Sequence, residues 1–171
     1  MFDPQLHARL MKLRKKSPAT RRVHIVDSLY LATVGCFSVE QRFFDAFRRV
    51  WKKRKRSAKT ELLEFWRQRD ANRRIIPIIN LVATLPPGKA DPTEIPYAWC
   101  NEGIILEFDA TSIKNMPDRL IETLISHELL HAARTASGRE TDDRNLEELA
   151  VRAANERMGY YEEALTRWKP K

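Results

Sequence analysis

Cysteine is scarce in this chain, with two in 171 residues, Cys36 and Cys100. Two thiols cannot build a disulfide framework or a four-cysteine zinc site. They are expected as reduced, buried side chains in a cytoplasmic protein. Long apolar runs are also missing. No stretch approaches the roughly 18 to 20 uninterrupted apolar residues of a membrane span, so no membrane partner is expected. The first residues, Met1-Phe-Asp-Pro-Gln-Leu-His7, carry an early acid and a proline and lack the apolar centre of a signal peptide. Glycine is rare, at five positions, which favours helices over tight hairpins. Histidine is rarer still, at four, so each one matters. No internal repeat is present.

What is abundant is charge. Charged residues make up 32% and apolar residues 43% of the chain, and the net charge is +8. These proportions suit a globular protein, not a disordered one. The length suits one domain, taken here as residues 1–171. The charge is unevenly spread. Residues 1–75 hold 20 basic and 7 acidic side chains, net +13, whereas 76–171 are net −5. A basic first half suggests contact with nucleic acid or an acidic partner. The cluster Trp51-Lys-Lys-Arg-Lys-Arg56 is its densest point. The plainer reading is a solvated helix end with Trp51 in the core.

The pattern along the chain predicts an α+β fold. A short basic helix is expected over 4–16, ended by Ser17-Pro18. Residues 22–34 read as strand or buried helix. Ser38-Val-Glu-Gln41 matches a capping box, and Phe43, Phe47 and Val50/Trp51 follow at helical spacing. Residues 51–59 continue or interrupt that helix, and 60–72 form a second amphipathic one. Its Phe65 and Trp66, with Phe43, Phe44, Phe47 and Trp51, are expected as core. Residues 74–83 are β-branched, and Pro77 points to an edge strand or bulge. Residues 84–96 read as loop and 97–109 as strand. Asn115 and Pro117 open a long helix that Gly138 stops. A last helix spans about 145–158 and ends at Gly159. Residues 160–168 are a final helical turn or a tail.

The long helix carries His127-Glu-Leu-Leu-His131. Histidines four apart lie one turn apart on one helix face, so both imidazoles reach a single metal ion. Glu128, rotated by about 100°, can take the proton of a metal-bound water. The surrounding helix is apolar nearly all round, and His, Glu and His in such a helix need partners. The remaining histidines, His7 and His24, are far upstream, and Ser137 stands where a third histidine of an extended motif would be. The third ligand is therefore expected among Asp142, Asp143, Glu147 and Glu148. Glu147 is preferred, because Ala150, Val151, Ala154 and Met158 follow on its face. Glu148 has Arg152 and Asn155 on its own, and Asn145-x-x-Glu148 gives it a capping role.

These residues, with Glu147-Glu-Leu-Ala-Val-Arg-Ala-Ala154 downstream, resemble the glutamate-type zincin metallopeptidases, the gluzincins. The likeness is greatest to their small single-domain members, the minigluzincins. It covers about 97–158. It implies a compact zincin-like domain with a small mixed sheet, a buried motif helix and a glutamate-bearing helix; residues 1–75, expected as a basic, mainly helical N-terminal part, match nothing in the family. It implies one zinc ion per chain held by His127, His131 and a glutamate, with Glu128 as general base. The substrate is then a peptide or protein segment lying along the strand Gly103–Phe108. The family's Asp four residues after the ligand glutamate is absent, since Val151 and Arg152 stand there. Tyr97, Trp99, Tyr160 and Tyr161 are the candidates for steadying a developing oxyanion, and Asp109 for orienting an imidazole. The rival reading is a nucleic-acid-binding or regulatory protein with a silent or structural metal site. A third is a latent enzyme whose cleft is blocked by 84–96 or 160–171.

Overall fold

The computed structural model describes residues 4–5, 8, 12, 21–26, 29–34, 39–69, 78–82 and 97–170. Of the expected first helix only positions 4, 5, 8 and 12 are described, and these are helical. Pro77 and the segment 84–96 lie outside the described residues, as do Ser38 and Cys36. The architecture is mixed, with helices around a small sheet, as the patterning predicts. No helix among the described residues is long and apolar enough to cross a membrane.

The described residues of the segment 22–34 are strand. β1 (Arg21–Val26) and β2 (Leu29–Val34) form an antiparallel hairpin. α1 (Glu40–Lys53) follows, with Val39 at its cap position and no side chain capping it. Phe43, Phe47, Val50 and Trp51 are all buried along one stripe, as a 3.6-residue period requires. The chain then breaks. Arg54 and Lys55 are both extended, and α2 (Arg56–Gln68) starts afresh. The basic run thus interrupts the helix.

β3 (Ile78–Val82) pairs in parallel with β5 (Ile105–Asp109), and β4 (Ala98–Asn101) pairs antiparallel on the other side of β5. The expected single strand over 97–109 is therefore two strands. Glu102 and Gly103 both have positive φ, 51° and 66°, as a two-residue hairpin turn of type I′ needs, and Ile104 N–H closes it onto Asn101 O at 3.0 Å. The turn lies on α2, whose Trp66 indole donates to Gly103 O. Asp109 ends β5 and caps α3 (Ala110–Asn115), its carboxylate accepting from Ser112 N–H at 2.9 Å. It serves as a cap and turn residue.

α4 (Asp118–Ala136) is the central element. α1, α2, β4, α5 (Arg144–Arg157) and α6 (Glu162–Arg167) all pack on it. Its Ile121, Leu124, Ile125 and Leu129 are buried in one core with Leu106, Phe108 and the α1 stripe, and the Phe43 and Phe108 rings stand 4.9 Å apart. Two glycines end the long C-terminal helices alike. After α4, Gly138 (φ 66°) lets Arg139 N–H reach Arg134 O and its own N–H reach Thr135 O. After α5, Gly159 (φ 86°) does the same for Tyr160 onto Asn155 and itself onto Glu156. Both are the paired bonds of a left-handed helix stop. The first turns the chain back towards His131. The second returns it towards His127.

Candidate metal centre

His127 and His131 lie one turn apart on α4, as their spacing demands, and their Nε2 atoms are 3.2 Å apart. The carboxylate facing them is Glu148. Its Oε2 lies 3.2 Å from His127 Nε2, and its Oε1 lies 3.0 Å from His131 Nε2. His127, His131 and Glu148 form a three-donor group able to hold one metal ion. Donors about 2.0–2.1 Å from a tetrahedral zinc stand about 3.3–3.4 Å from each other, close to this triangle. Glu148 Oε2 is buried and makes no well-angled hydrogen bond, although buried carboxylate oxygens ordinarily find one. The residues present therefore fit a dication with nitrogen and oxygen ligands.

The preference for Glu147 is corrected by this geometry. Glu147 is occupied elsewhere. Arg134 grips it with two bonds of 2.6 and 3.0 Å, and Thr141 N–H donates to its Oε2 at 3.0 Å. Its Oε1 comes no nearer than 4.0 Å to His131 Nδ1. The sequence misleads at Asn155. A polar residue seven positions after Glu148 marks that face as solvated, yet Asn155 is fully buried, and so is Val151. The cap is also not where the pattern places it. Asp143 caps α5 by accepting from Asn145 and Leu146 N–H, so Glu148 has no capping work. Asp142 lines the neighbouring cleft but does not reach the histidines.

Glu162 is a member of this region that the sequence reading missed. It comes from α6, after the Gly159 turn, and is 2% exposed. Its Oε1 lies 2.9 Å from His127 Nδ1. A carboxylate only accepts, so Nδ1 carries the proton and Nε2 is left facing Glu148. Asn155 Nδ2 donates to the same oxygen and, at 3.1 Å, to Thr123 O. The one signal available was an acid three residues before the apolar Leu165, itself fully buried.

The electrostatics follow from burial and contact. Burial works against a charged His127, but Glu148 and Glu162 outweigh it and raise its pKa to about 10. Burial likewise opposes a charged Glu148, yet the two imidazoles hold its carboxyl well below the ordinary range. Glu147 is held low despite its burial by Arg134 and Thr141. Burial raises Glu128, and the imidazoles only partly offset that.

The group opens onto a cleft of about 780 Å³. β4 forms one wall, through Ala98 to Asn101. His127, Glu128 and His131 line it from α4, and the turn 140–142 with the start of α5 supplies the opposite wall. β5 is not a wall. It is paired on both edges, so the expectation that Gly103–Phe108 accepts a substrate strand is corrected. β4 is the edge strand of this sheet, and it borders the cleft. Of the four aromatic candidates only Trp99 lines the cleft. The Tyr97 hydroxyl donates to Trp168 O at 2.9 Å, Tyr160 is buried under Lys53, and Tyr161 is exposed. No residue of 160–170 lines the cleft, so the described tail does not block it. Cys100 is a free, half-buried thiol on β4, and burial raises its pKa well above the ordinary value.

Compared with known proteins, the chain matches no protein-family model, no curated protein and no solved structure.

Proposed function

We propose that this chain is a zinc-dependent metallopeptidase with a gluzincin-like centre. His127, His131 and Glu148 hold one zinc ion, and Glu128 is the general base. The observation that carries this reading is the three-donor triangle at an open cleft that the buried carboxylate of Glu128 also lines. Three protein donors leave a tetrahedral ion one position for solvent or substrate, as catalytic sites require and structural sites do not. Zinc, when bound, polarises a carbonyl and brings the pKa of a coordinated water towards about 7.

The chain's own residues then have separate tasks. Glu162 holds His127 in the tautomer that presents Nε2. Glu128, raised by burial, accepts a proton from the attacking water and returns it to the leaving amine. β4 offers its free edge to an extended peptide by strand addition, placing the scissile carbonyl near the metal. Arg134 and Glu147 brace the turn that leads into α5, the helix that carries Glu148.

The test is metal content by mass spectrometry on untagged protein, followed by a peptide-library digest. About one zinc per chain, kept in Glu128→Gln and lost in His131→Ala and Glu148→Gln, is the expected result. Cleavage that disappears in Glu128→Gln completes it. No zinc uptake by the wild type, even from added zinc, overturns the reading. The rival, a nucleic-acid-binding protein with a silent site, draws on the cations Lys52, Lys53, Lys55 and Arg56, all exposed at the α1–α2 break. Salt-sensitive DNA binding by protein that cleaves no peptide would favour it.

A further inference from the structure

The wall facing β4 is acidic in a way the metal does not explain. Glu148 belongs to the metal group, and Arg134 neutralises Glu147. Two more carboxylates, Glu140 and Asp142, line the same cleft. Both are exposed, and Glu140 accepts a hydrogen bond from Thr135 at 2.9 Å. Arg144 is the one guanidinium or ammonium group lining the cleft among the described residues, so acids outnumber it. Deeper in, Glu128 is 3% exposed, lines the cavity and makes no hydrogen bond among the described residues. It is a buried acid aimed at whatever enters. Trp99 lines the cleft from the β4 wall, an indole on which an alkyl-ammonium or guanidinium stem can lie.

We infer that the cleft selects a cationic side chain, lysine or arginine, beside the bond it cuts, with Glu140 and Asp142 meeting the charge and Trp99 the stem. This rests on the peptidase reading and deepens it. A neutral isostere of the same length fills the Trp99 contact but brings no cation to Glu140 or Asp142. An exposed ion pair is worth only a fraction of a kcal/mol to about 1 kcal/mol, so two of them give a preference of about tenfold, not an absolute requirement. The preference is electrostatic and weakens with salt, because the Debye length falls to about 3 Å at 1 M.

The experiment compares zinc-loaded wild type and the E140K/D142K double variant on matched peptides carrying lysine or norleucine at each position around the cut. The expected result is a kcat/KM ratio of about ten for lysine over norleucine at low salt. It should fall towards one at 1 M salt and invert in the double variant. Cleavage with no preference at any position overturns this inference and leaves the peptidase reading standing. If no peptide is cut, anisotropy of the same peptides, fluorescently labelled, on zinc-loaded Glu128→Gln protein separates the two ideas. Lysine-selective binding that is lost in a Glu128→Gln protein also carrying E140K/D142K would keep the cationic site and overturn the peptidase. Equal binding of both peptides, or none, would overturn the cationic site as well.

Discussion

At the scale of single residues, adjacent glutamates on α5 have opposite duties, and that difference is measurable. Glu148 faces two imidazoles, whereas Glu147 faces Arg134. Glu148→Gln should weaken zinc binding by more than the 10- to 100-fold typical of residues behind a ligand. Glu147→Gln should keep zinc and instead lose about 1–2 kcal/mol of stability through its charged hydrogen bonds, read by urea unfolding. Glu162→Gln tests the residue behind His127. It should weaken zinc binding by about 10- to 100-fold with the fold intact by circular dichroism, and Glu162→Ala should do no better.

The same residues set a pH dependence. In metal-free protein His127 is raised to about 10, against about 6.5 in an unfolded chain. The stability it contributes is complete below about 6.5 and is lost as pH rises through about 10. Glu148, held low, contributes stability above its ordinary range that is lost as acid protonates it. Metal-free protein should therefore become less stable from pH 6.5 towards 10 in denaturant titrations. Zinc affinity should rise over the same interval, because binding releases the His127 proton. A metal-free stability that climbs with pH would contradict the placement of Glu148 and Glu162 around His127.

At the scale of elements, legibility depended on periodicity. α4 was readable because Leu120, Leu124, His127 and His131 keep one helical spacing and Gly138 stops it. The break at Arg54 was harder. Its cations look uniformly solvated, yet Arg54 is buried, with its guanidinium reaching Ser126 O at 3.4 Å and its pKa lowered by burial to about 10. The β4–β5 turn was hidden because alternation runs through it and Glu102 is not a residue that ordinarily takes positive φ. Glu162 was hidden because a six-residue helix carries too little pattern to show a face. Two glycines separate local geometry from packing. Gly138→Ala meets nothing within 4 Å, so only its φ is strained, at about 1–2 kcal/mol. Gly103→Ala has that strain and also sets its Cβ 3.1 Å from Thr135 and 3.2 Å from Phe65. It should cost measurably more in urea unfolding and loosen the β4 wall.

At the scale of the whole molecule, a metal bound by His127, His131 and Glu148 would join helices that apolar packing joins only in part. The donors come from α4 and α5, and α6 supplies their support. A ligand that binds only the folded state stabilises it by about 4 kcal/mol at a thousandfold excess over Kd. Chelation should therefore lower the melting temperature, and hydrogen exchange should show the loss chiefly in α5 and α6, with the α1 stripe and β5 unchanged. The fold class and the motif helix were legible at this scale because they depend on composition and repeat. The third donor was not, since it depends on which way one helix is rolled against another.

The placement of the site along the chain has a kinetic meaning. The donors are close along the chain: His131 and Glu148 are 17 positions apart and His127 and Glu148 are 21. The β3–β5 pair, by contrast, joins Ile78 to Ile105 and depends on a parallel register that no short turn can set. Closing the short loops of the centre is the faster search. The donors can meet before the sheet is registered, so zinc present during refolding should speed the appearance of α4–α5 contacts and leave the rate of sheet formation unchanged.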